Sequence, residues 1–444
     1  MKLQKRGWLN RYLTYRAHDP FELTLPTHGV KIVDDEALHN EIDEAIYYHL
    51  QPTGMLYGLP TRPPFANRDY PRSRYFDAED WVILTFLESL FSCMVADRHF
   101  LLAGLVEEED RFAMVLELVQ QYFLHGAPEG NGLSLPGLIR SGLSRVKLAT
   151  EDHPLELELK RRVRQQFSLF TQPQLFANST LFLDLHGCIA WQRHVAMEGD
   201  AAPALLAHIY EQQTRQRVAM LQMLAAAAWA DDDVGQFEGA LLRTMLRTSG
   251  LRLEQVKPIL TMINKGTRLD DVQLPEMPWI VRRFLLELVL LMVMIDQEFS
   301  DSELAFVQAA VERLELWPTE FEQSKTALEI FLSANADQID YLNIKPAVFN
   351  FSNRIQKKAT LAVRDNMDRV VNEIKETHEL YTLLMKATRT KLTPEERRKV
   401  NDQMVDILKT IPALAIFALP GGGLMLPILI RLLPFNLLPS SFED

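Results

Sequence analysis

Residues 410–442 read TIPALAIFALPGGGLMLPILIRLLPFNLLPSSF, and this stretch sets the strongest constraint on how the chain folds. Its first 21 residues, 410–430, carry no charge, and about 20 apolar residues are long enough to cross a bilayer. The run is interrupted by Pro412, Pro420, Pro427 and Gly421–Gly423. Because proline inside a helix removes a hydrogen bond and clashes with the preceding turn, one spanning helix is not expected. We predict two short apolar helices joined at a glycine corner and covered by other parts of the chain.

The composition is that of an ordinary globular protein. The chain has 444 residues, of which 47% are hydrophobic and 24% charged, enough for roughly two to four domains that each bury a core. Residues 1–20 contain no continuous apolar segment of the signal-peptide type, so we expect a cytoplasmic protein. Two cysteines, Cys93 and Cys188, are too few for a disulfide framework or a paired-cysteine zinc site, and we expect buried, reduced thiols.

The charge of the chain is unevenly distributed. The net charge is −12, which argues against nonspecific coating of nucleic acid, and no recognition of DNA sequence is expected. Residues 354–409, however, contain thirteen Lys or Arg and nine Asp or Glu, a net charge of +4. The sequence therefore predicts a basic C-terminal module attached to an acidic body.

Helical periodicity dominates the chain. Apolar residues nearly all round predict a buried helix at 77–100. Apolar residues at three- and four-residue spacing predict an amphipathic helix at 108–123, and a further helix is predicted at 155–170. No run of alternating β-branched residues bounded by turns occurs, so the predicted fold class is all-α, with several helical domains. A segment rich in Pro, Gly and Tyr at 51–76 predicts an extended arm. Four basic residues of the 155–170 helix are expected to be solvated: Lys160, Arg161, Arg162 and Arg164.

Residues 215–317 contain a repeat. Two segments, 221–251 and 285–316, share an apolar helix that ends in Asp, an apolar residue three positions later and a Glu seven positions later. The matched sets, 65 residues apart, are Asp231, Val234 and Glu238, and Asp296, Phe299 and Glu303. A structural cause is an interhelical corner, in which the Glu lies in the first turn of the second helix and suits its dipole. In Ser300–Glu303 the Glu also completes a predicted capping box.

This repeat resembles the tellurite-resistance TerB-like family, an all-helical domain built from two such halves. The resemblance implies a divalent-metal site at Asp231, Glu238, Asp296 and Glu303. The alternative is that these four side chains are corner and capping residues without a ligand. In that family Gly typically follows the first Asp, whereas here Asp232 and Gln297 occupy that position.

The region before the apolar stretch also has a clear helical pattern. Residues 355–385 predict one long amphipathic helix, whose apolar stripe includes His378 as a core residue rather than a ligand. The sequence LTPEERRKV then predicts a helix start. Thr393 is the N-cap, Pro394 takes the first helical position, and Glu396 stands three residues after the cap.

This order of elements resembles the ribosome-binding-like domain of the LETM family, the leucine-zipper EF-hand transmembrane proteins and their bacterial relatives. The matching residues are Leu392-Thr393, Glu396-Arg397, Ile411-Pro412, Leu426-Pro427, Leu433-Pro434 and Leu438-Pro439-Ser440-Ser441-Phe442. Together the observations predict three domains. They are a mostly helical N-terminal region at 1–204, a TerB-like duplicated domain at 205–335 and a LETM-like domain at 345–444.

No catalytic motif is found. The chain has no P-loop, dinucleotide GxGxxG, HExxH, GxSxG or paired CxxC sequence, so we expect a non-enzymatic binding protein without a cofactor. The LETM resemblance implies a ribosome or another anionic partner. Six cations near the predicted helix start are the candidate binding residues: Lys386, Arg389, Lys391, Arg397, Arg398 and Lys399.

A second hypothesis belongs to a different class. The apolar tail and both resemblances are also consistent with a membrane-associated protein of ion homeostasis or envelope stress response. Such a protein would lie peripherally at the inner face of the membrane and respond to metal through the acidic corners. Irregular backbone at membrane depth needs protein or water around it, which limits how the tail could insert.

Overall fold

The computed structural model describes residues 7–17, 35–57, 78–101, 108–124, 154–167, 180–198, 203–232, 234–294, 300–335, 357–387, 393–411 and 414. The protein is all-α, as predicted, with sixteen α-helices and no strand among the described residues. The chain divides into two compact units, residues 1–289 and 290–444. The domain boundaries predicted from the sequence stay predictions.

The first unit contains α1 to α9 and α10 as far as Val289. These helices are α1 Trp8–Ala17, α2 Asp35–Leu50, α3 Ala78–Leu101, α4 Glu108–Leu124, α5 Pro154–Phe167, α6 Thr180–Glu198, α7 Pro203–Ala228, α8 Gln236–Thr248, α9 Leu253–Lys265 and α10 Trp279–Met294. The helices predicted at 77–100, 108–123 and 155–170 are confirmed as α3, α4 and α5. Residues 51–57, at the start of the arm predicted for 51–76, form a 3₁₀ turn and a bend, and residues 58–76 lie outside the described part.

The core of the first unit lies between α3 and the helices around it. Helix α3 packs on α4, α5 and α6; α6 packs on α7, and α7 packs on α8 and α9. Both cysteines, Cys93 on α3 and Cys188 on α6, are free and buried, as predicted. Helix α3 is buried on all sides from Val82 to Met94 and forms the centre of this core. Burial of apolar side chains against neighbouring helices is the main source of helix stability in a protein.

One glycine permits the close approach of α6, α7 and α4. At Gly187 a methyl group would overlap Gln213 and Tyr122. The Gln213 amide donates to the Leu183 carbonyl, and its Oε1 accepts the Tyr122 hydroxyl hydrogen at 2.6 Å. Glycine at this position therefore leaves room for a buried hydrogen-bond chain between three helices.

The second unit ends in four helices that form the candidate site. Its helices are α11 Asp301–Arg313, α12 Pro318–Ala334, α13 over the described residues 357–365, α14 Met367–Glu376, α15 His378–Ala387 and α16 Pro394–Thr410. Helices α14, α15 and α16 pack on one another. Their buried apolar side chains are Val370, Ile374, Leu380, Leu384, Val400, Met404, Ile407 and Leu408.

The single long helix predicted for 355–385 is wrong, because the chain leaves the helix at Asn366 and Thr377. The Asn366 amide donates to the Ala362 carbonyl at 2.9 Å, and the Thr377 hydroxyl donates to the Glu373 carbonyl at 2.9 Å. Such side-chain bonds offer the backbone an alternative to the next helical turn. The break shifts the buried stripe of α15 to Leu380 and Leu384, so His378, predicted as a core residue, is exposed.

Only the beginning of the apolar tail lies in the described part. Thr410 ends α16, and Ile411 and Leu414 are buried. The predicted glycine corner and the second short helix lie outside the described residues. Among the helices that the structure describes, none is long and apolar enough to cross a membrane.

Candidate functional site

The candidate site is built around the start of α16. The Thr393 hydroxyl accepts from the Glu396 backbone N–H at 3.2 Å, and the Glu396 carboxylate accepts from the Thr393 N–H at 2.9 Å. Pro394 takes the first helical position. The predicted N-cap and helix start are therefore confirmed, and this reciprocal capping fixes where α16 begins relative to α15.

Lys386 lies in the last turn of α15 and reaches the cap of α16. Its Nζ is 2.5 Å from Glu396 Oε1, while the other carboxylate oxygen of Glu396 holds the cap. Lys386 and the Thr393 N–H together lower the pKa of Glu396. One carboxylate thus joins the end of one helix to the beginning of the next.

Lys399 makes the second contact between α15 and α16. Its Nζ is 2.8 Å from Glu379 Oε1, and Gln403 donates to Glu379 Oε2 at 2.7 Å. Both charged groups are exposed, at 61% for Lys399 and 53% for Glu379. The pair lowers the pKa of Glu379 and raises that of Lys399. Because water and salt screen an exposed pair, this contact is weak and exchangeable.

Of the other four predicted cations, the structure describes two by their backbone only and two not at all. The backbone of Arg397 and Arg398 lies in α16, whereas Arg389 and Lys391 are outside the described residues. The structure therefore brings Lys386 and Lys399, which we call the junction lysines, onto the same pair of helices. Each of the two already has a carboxylate partner.

Further exposed cations lie outside the predicted cluster, on α13 and α14. They are Lys357, Arg364, Arg369 and Lys375. Among the described residues, none of these four has a carboxylate within ion-pair distance, whereas Lys358 pairs with Glu322 at 3.1 Å. These four residues contribute to the net charge of +4 over residues 354–409. They were not among the predicted binding residues, because that prediction took only cations close to the predicted helix start at Thr393.

The four candidate metal ligands have other roles or are not described. The Glu238 carboxylate accepts the Gly235 N–H at 2.8 Å, and the Glu303 carboxylate accepts the Ser300 N–H at 2.7 Å. The capping box at Ser300 is confirmed. Asp231 is exposed, and Asp296 lies outside the described residues. In the part of the chain that the structure covers, no group of three or more His, Cys, Asp or Glu side chains is arranged to hold a metal ion.

The backbone explains one departure from the TerB-like pattern. Asp232, which stands where that family typically has Gly, has φ 66°. This left-handed conformation is the one that Gly adopts without a penalty and that Asp tolerates better than most residues. The turn after α7 therefore has a backbone conformation that Gly would also adopt.

The described part of the first unit contains several groups of buried charges, among them the Arg16–Glu88 pair at 3.4 Å and three larger clusters. In the first, Glu287 of α10 accepts from Gln51 Nε2 at 2.7 Å and from the Tyr57 hydroxyl at 2.6 Å, and Arg283 Nε lies 3.9 Å away. We call these four residues the Glu287 cluster. Burial and then the Glu287 charge raise the pKa of Tyr57, so the hydroxyl stays a donor. The cluster ties the segment after α2 to α10.

The second cluster pairs one guanidinium with two carboxylates. Arg193 Nη2 lies 2.7 Å from Asp43 and 2.7 Å from Asp97. Gln192 donates to the other oxygen of Asp97 at 2.9 Å. Burial raises the pKa of both aspartates, and Arg193 offsets only part of this effect. The pairing joins α2, α3 and α6.

The third cluster corrects a prediction. Arg162, predicted to be solvated on α5, lies 2.6 Å from the buried Asp184 and over the Phe123 ring at 4.9 Å. Arg217 also lies 2.6 Å from Asp184. Burial acts to raise the pKa of Asp184, but the two guanidinium groups outweigh it and the pKa lies below its usual value.

A second member of the predicted solvated face is also paired. Lys160 is 12% exposed and lies 3.2 Å from Glu156, whose carboxylate also accepts the Gly7 and Leu9 N–H groups at the start of α1. Only Arg161, which is 54% exposed, fits the predicted solvated face, and the Arg164 side chain lies outside the described part. Arg162 has its partner Asp184 on another helix, and Lys160 pairs with Glu156 of its own helix, which is buried against α1. Both positions follow from the rule that a buried carboxylate needs a cation or hydrogen-bond donors.

Comparison with known proteins gives one match. The family model described as LETM1-like, RBD matches residues 392–444. The match begins next to the Thr393 cap and takes in α16 and the apolar stretch, so this part of the chain is similar to a LETM1-like ribosome-binding domain and the predicted resemblance is confirmed there. No curated protein and no solved structure matches the chain. The TerB-like resemblance stays a prediction.

Proposed function

We propose that the protein is a non-enzymatic binding protein that contacts the ribosome through its C-terminal LETM1-like domain. The observation that carries the proposal is the match of residues 392–444 to the LETM1-like ribosome-binding model. Residues 354–409, which overlap the start of the match, have a net charge of +4. Ribosomal RNA presents a dense array of phosphates, and lysines bind phosphate as mobile point charges.

The junction lysines supply a mechanism for this contact. Lys386 and Lys399 lie on the surface of α15 and α16, and their carboxylate partners are exposed enough for the ion pairs to open. A phosphate approaching the junction exchanges one anionic partner for another without exposing apolar surface. The capping of Thr393 is independent of this exchange, because it uses the other oxygen of Glu396.

Sedimentation of the intact chain with purified ribosomes tests the proposal. We expect the protein to pellet with ribosomes at about 50 mM salt and to be released steeply towards about 200 mM, because phosphate contacts release counterions. The double variant Lys386→Gln/Lys399→Gln should pellet less at low salt. Its plot of log affinity against log salt should be shallower by about two, because each substituted lysine no longer neutralises a phosphate.

A matched control separates local contacts from total charge. Lys257 and Lys265 are exposed cations of α9, and Lys265 lies in the last turn of its helix as Lys386 does. Lys257→Gln/Lys265→Gln changes the net charge equally and should leave the pelleting curve unchanged. If the wild-type chain stays in the supernatant at low salt, the proposal fails. If both double variants weaken binding equally, the junction lysines have no specific role.

The membrane hypothesis rests on a different observation, the uncharged run 410–430. Flotation of the intact chain with vesicles that contain anionic lipid discriminates between the two functions. A chain that floats with vesicles and does not pellet with ribosomes favours a peripheral membrane protein of ion homeostasis. A chain that pellets with ribosomes and stays at the bottom of the flotation gradient favours the first proposal.

A further inference from the structure

Trp317 is the most exposed large apolar side chain in the described part of the chain, at 73%. All six tryptophans of the protein are described, and the other five are buried or half-buried. Tryptophan is highly buried on average because it has the largest apolar surface to remove from water. Its position in solvent therefore calls for an explanation beyond the folding of the second unit.

The turn between α11 and α12 fixes the backbone that leads into Trp317. After α11, the Glu315 N–H donates to the Glu312 carbonyl and the Leu316 N–H donates to the Val311 carbonyl, each at 3.0 Å. Glu315 has φ 52°, the left-handed conformation that closes a helix in this way. The turn sends Leu316 into the core, at 7% exposed, and leaves Trp317 outside.

The first turn of α12 fixes the other side of Trp317. Its N–H donates to Glu320 Oε2 at 2.6 Å, and its carbonyl accepts the Glu320 N–H at 2.9 Å. Pro318 follows at the first helical position. The backbone of Trp317 is therefore held on both sides, so the indole projects into solvent from a fixed position of the main chain.

Local structure gives no reason for a tryptophan here. Trp317 is the N-cap of α12, and its side chain makes no capping hydrogen bond. Ser, Thr, Asp and Asn are preferred at N-caps because their side chains accept a free backbone N–H. The residue present costs the helix a cap and exposes an aromatic ring, which is the pattern expected of a binding residue rather than a folding residue.

The charge around the indole indicates the chemistry of a partner. Residues 312–322, which we call the Trp317 corner, contain four carboxylates and one guanidinium: Glu312, Glu315, Glu320, Glu322 and Arg313. Glu322 pairs with Lys358 at 3.1 Å and Glu320 accepts the Trp317 N–H, whereas Glu312, in the last turn of α11, is exposed. An acidic rim next to an aromatic face suits Arg and Lys, which combine cation–π and ionic contacts.

We propose that the Trp317 corner docks a basic segment of a partner protein. An Arg or Lys side chain lies on the indole of Trp317, and a neighbouring cation of the same segment pairs with Glu312. This contact is separate from the cation-rich surface of α15 and α16, which attracts anions, and it does not depend on ribosome binding.

Fluorescence anisotropy with a labelled peptide of nine arginines tests the proposal on the intact chain. We expect saturable binding at physiological salt, and no binding of a matched peptide of nine glutamates. Trp317→Ser should weaken arginine-peptide binding about tenfold or more, as the truncation of an interface anchor does. The same variant should keep or raise the melting temperature, because Ser is a better N-cap than Trp.

Leu253→Ser is the matched control, since Leu253 is a 66% exposed apolar residue at the first position of α9. It should leave peptide binding unchanged, whereas Glu312→Gln should weaken it. The proposal is overturned if the wild-type chain does not bind the arginine peptide, or if Trp317→Ser binds it as tightly as wild type. Equal binding of the glutamate peptide would also overturn it.

Discussion

Two carboxylate–cation pairs, one in each unit of the protein, have opposite environments. In the first unit, Glu287 and Arg283 are fully buried, and each is surrounded by aromatic rings or hydrogen-bond donors. In the second unit, Lys399 and Glu379 are both more than half exposed. The Glu287–Arg283 pair is therefore a fixed contact of the core, whereas Lys399–Glu379 is a surface contact that can exchange with water and other ions.

The difference follows from the cost of removing charge from water. A buried charge is tolerated only when a partner and further hydrogen bonds replace its hydration, so the loss of one member leaves the other unpaired in a medium of low polarity. An exposed pair keeps most of its hydration and gains little from its partner. We expect substitutions in the buried Glu287–Arg283 pair to change stability, and substitutions in the exposed Lys399–Glu379 pair to change binding.

The largest effect is expected for Glu287→Ala. The substitution leaves Arg283 buried without its carboxylate and removes the acceptor of both Gln51 and Tyr57. Breaking a buried pair in this way costs about 3–5 kcal/mol of unfolding free energy. Urea unfolding of the intact chain, followed by circular dichroism, should show the transition of the first unit at a lower urea concentration.

The double variant Arg283→Met/Glu287→Leu is the control for this prediction. It removes both charges and keeps the side-chain volume, so it should recover a large part of the stability that Glu287→Ala loses. A double variant as unstable as the single one would indicate that hydrogen bonds to Gln51 and Tyr57, and not the unpaired charge, dominate the effect.

His186 of α6 gives an effect of intermediate size that depends on pH. Burial, and then the nearby Arg193, lower its pKa from 6.5 to about 3. The unfolded chain therefore binds a proton at this position between about pH 6.5 and 3 that the folded chain does not bind, and stability falls as the pH drops through this window. The loss between pH 7.5 and 5.0 should be about 2 kcal/mol.

The contribution of His186 can be isolated with a pair of variants. In His186→Gln the unfolding free energy should fall less between pH 7.5 and 5.0 than in wild type. His378→Gln, at an exposed position of the second unit, is the matched control and should follow the wild-type curve. Parallel curves for wild type and His186→Gln would show that the imidazole does not carry the predicted penalty.

Local patterns in the sequence predicted local structure well. The apolar patterns gave α3, α4 and α5, and the capping signals at Ser300 and Thr393 gave the starts of α11 and α16. These features depend on residues within one or two helical turns. The breaks at Asn366 and Thr377 were missed because an unbroken apolar stripe ran across both residues, and only their side-chain hydrogen bonds interrupt it.

Long-range pairing could not be predicted from the sequence. Gln51 and Glu287 are 236 residues apart in the chain, and no local pattern indicates that they meet. Arg162 was interpreted as solvated for the same reason, since Asp184 is on another helix. At the candidate site, Lys386 and Lys399 were predicted from the sequence as binding residues. Their partners Glu396 and Glu379 could not be predicted, because these contacts depend on the packing of α15 on α16.

The smallest effect on stability is expected for the exposed pair Lys399–Glu379. Glu379→Gln and Lys399→Gln each break the same exposed pair and should leave the urea midpoint unchanged, because solvent screens the contact. Their effects on ribosome sedimentation should nevertheless be opposite. Glu379→Gln releases Lys399 for phosphate and should raise the salt concentration that releases half of the protein, whereas Lys399→Gln should lower it.

Glu254→Gln supplies the reference for this last measurement, since Glu254 is an exposed carboxylate in the first turn of α9, as Glu379 is in α15. It changes the net charge as Glu379→Gln does, at a position remote in sequence from the junction. If the two variants raise the release point equally, total charge accounts for the gain. If only Glu379→Gln raises it, an intramolecular carboxylate competes with phosphate for Lys399, because removing that competitor is then what strengthens binding.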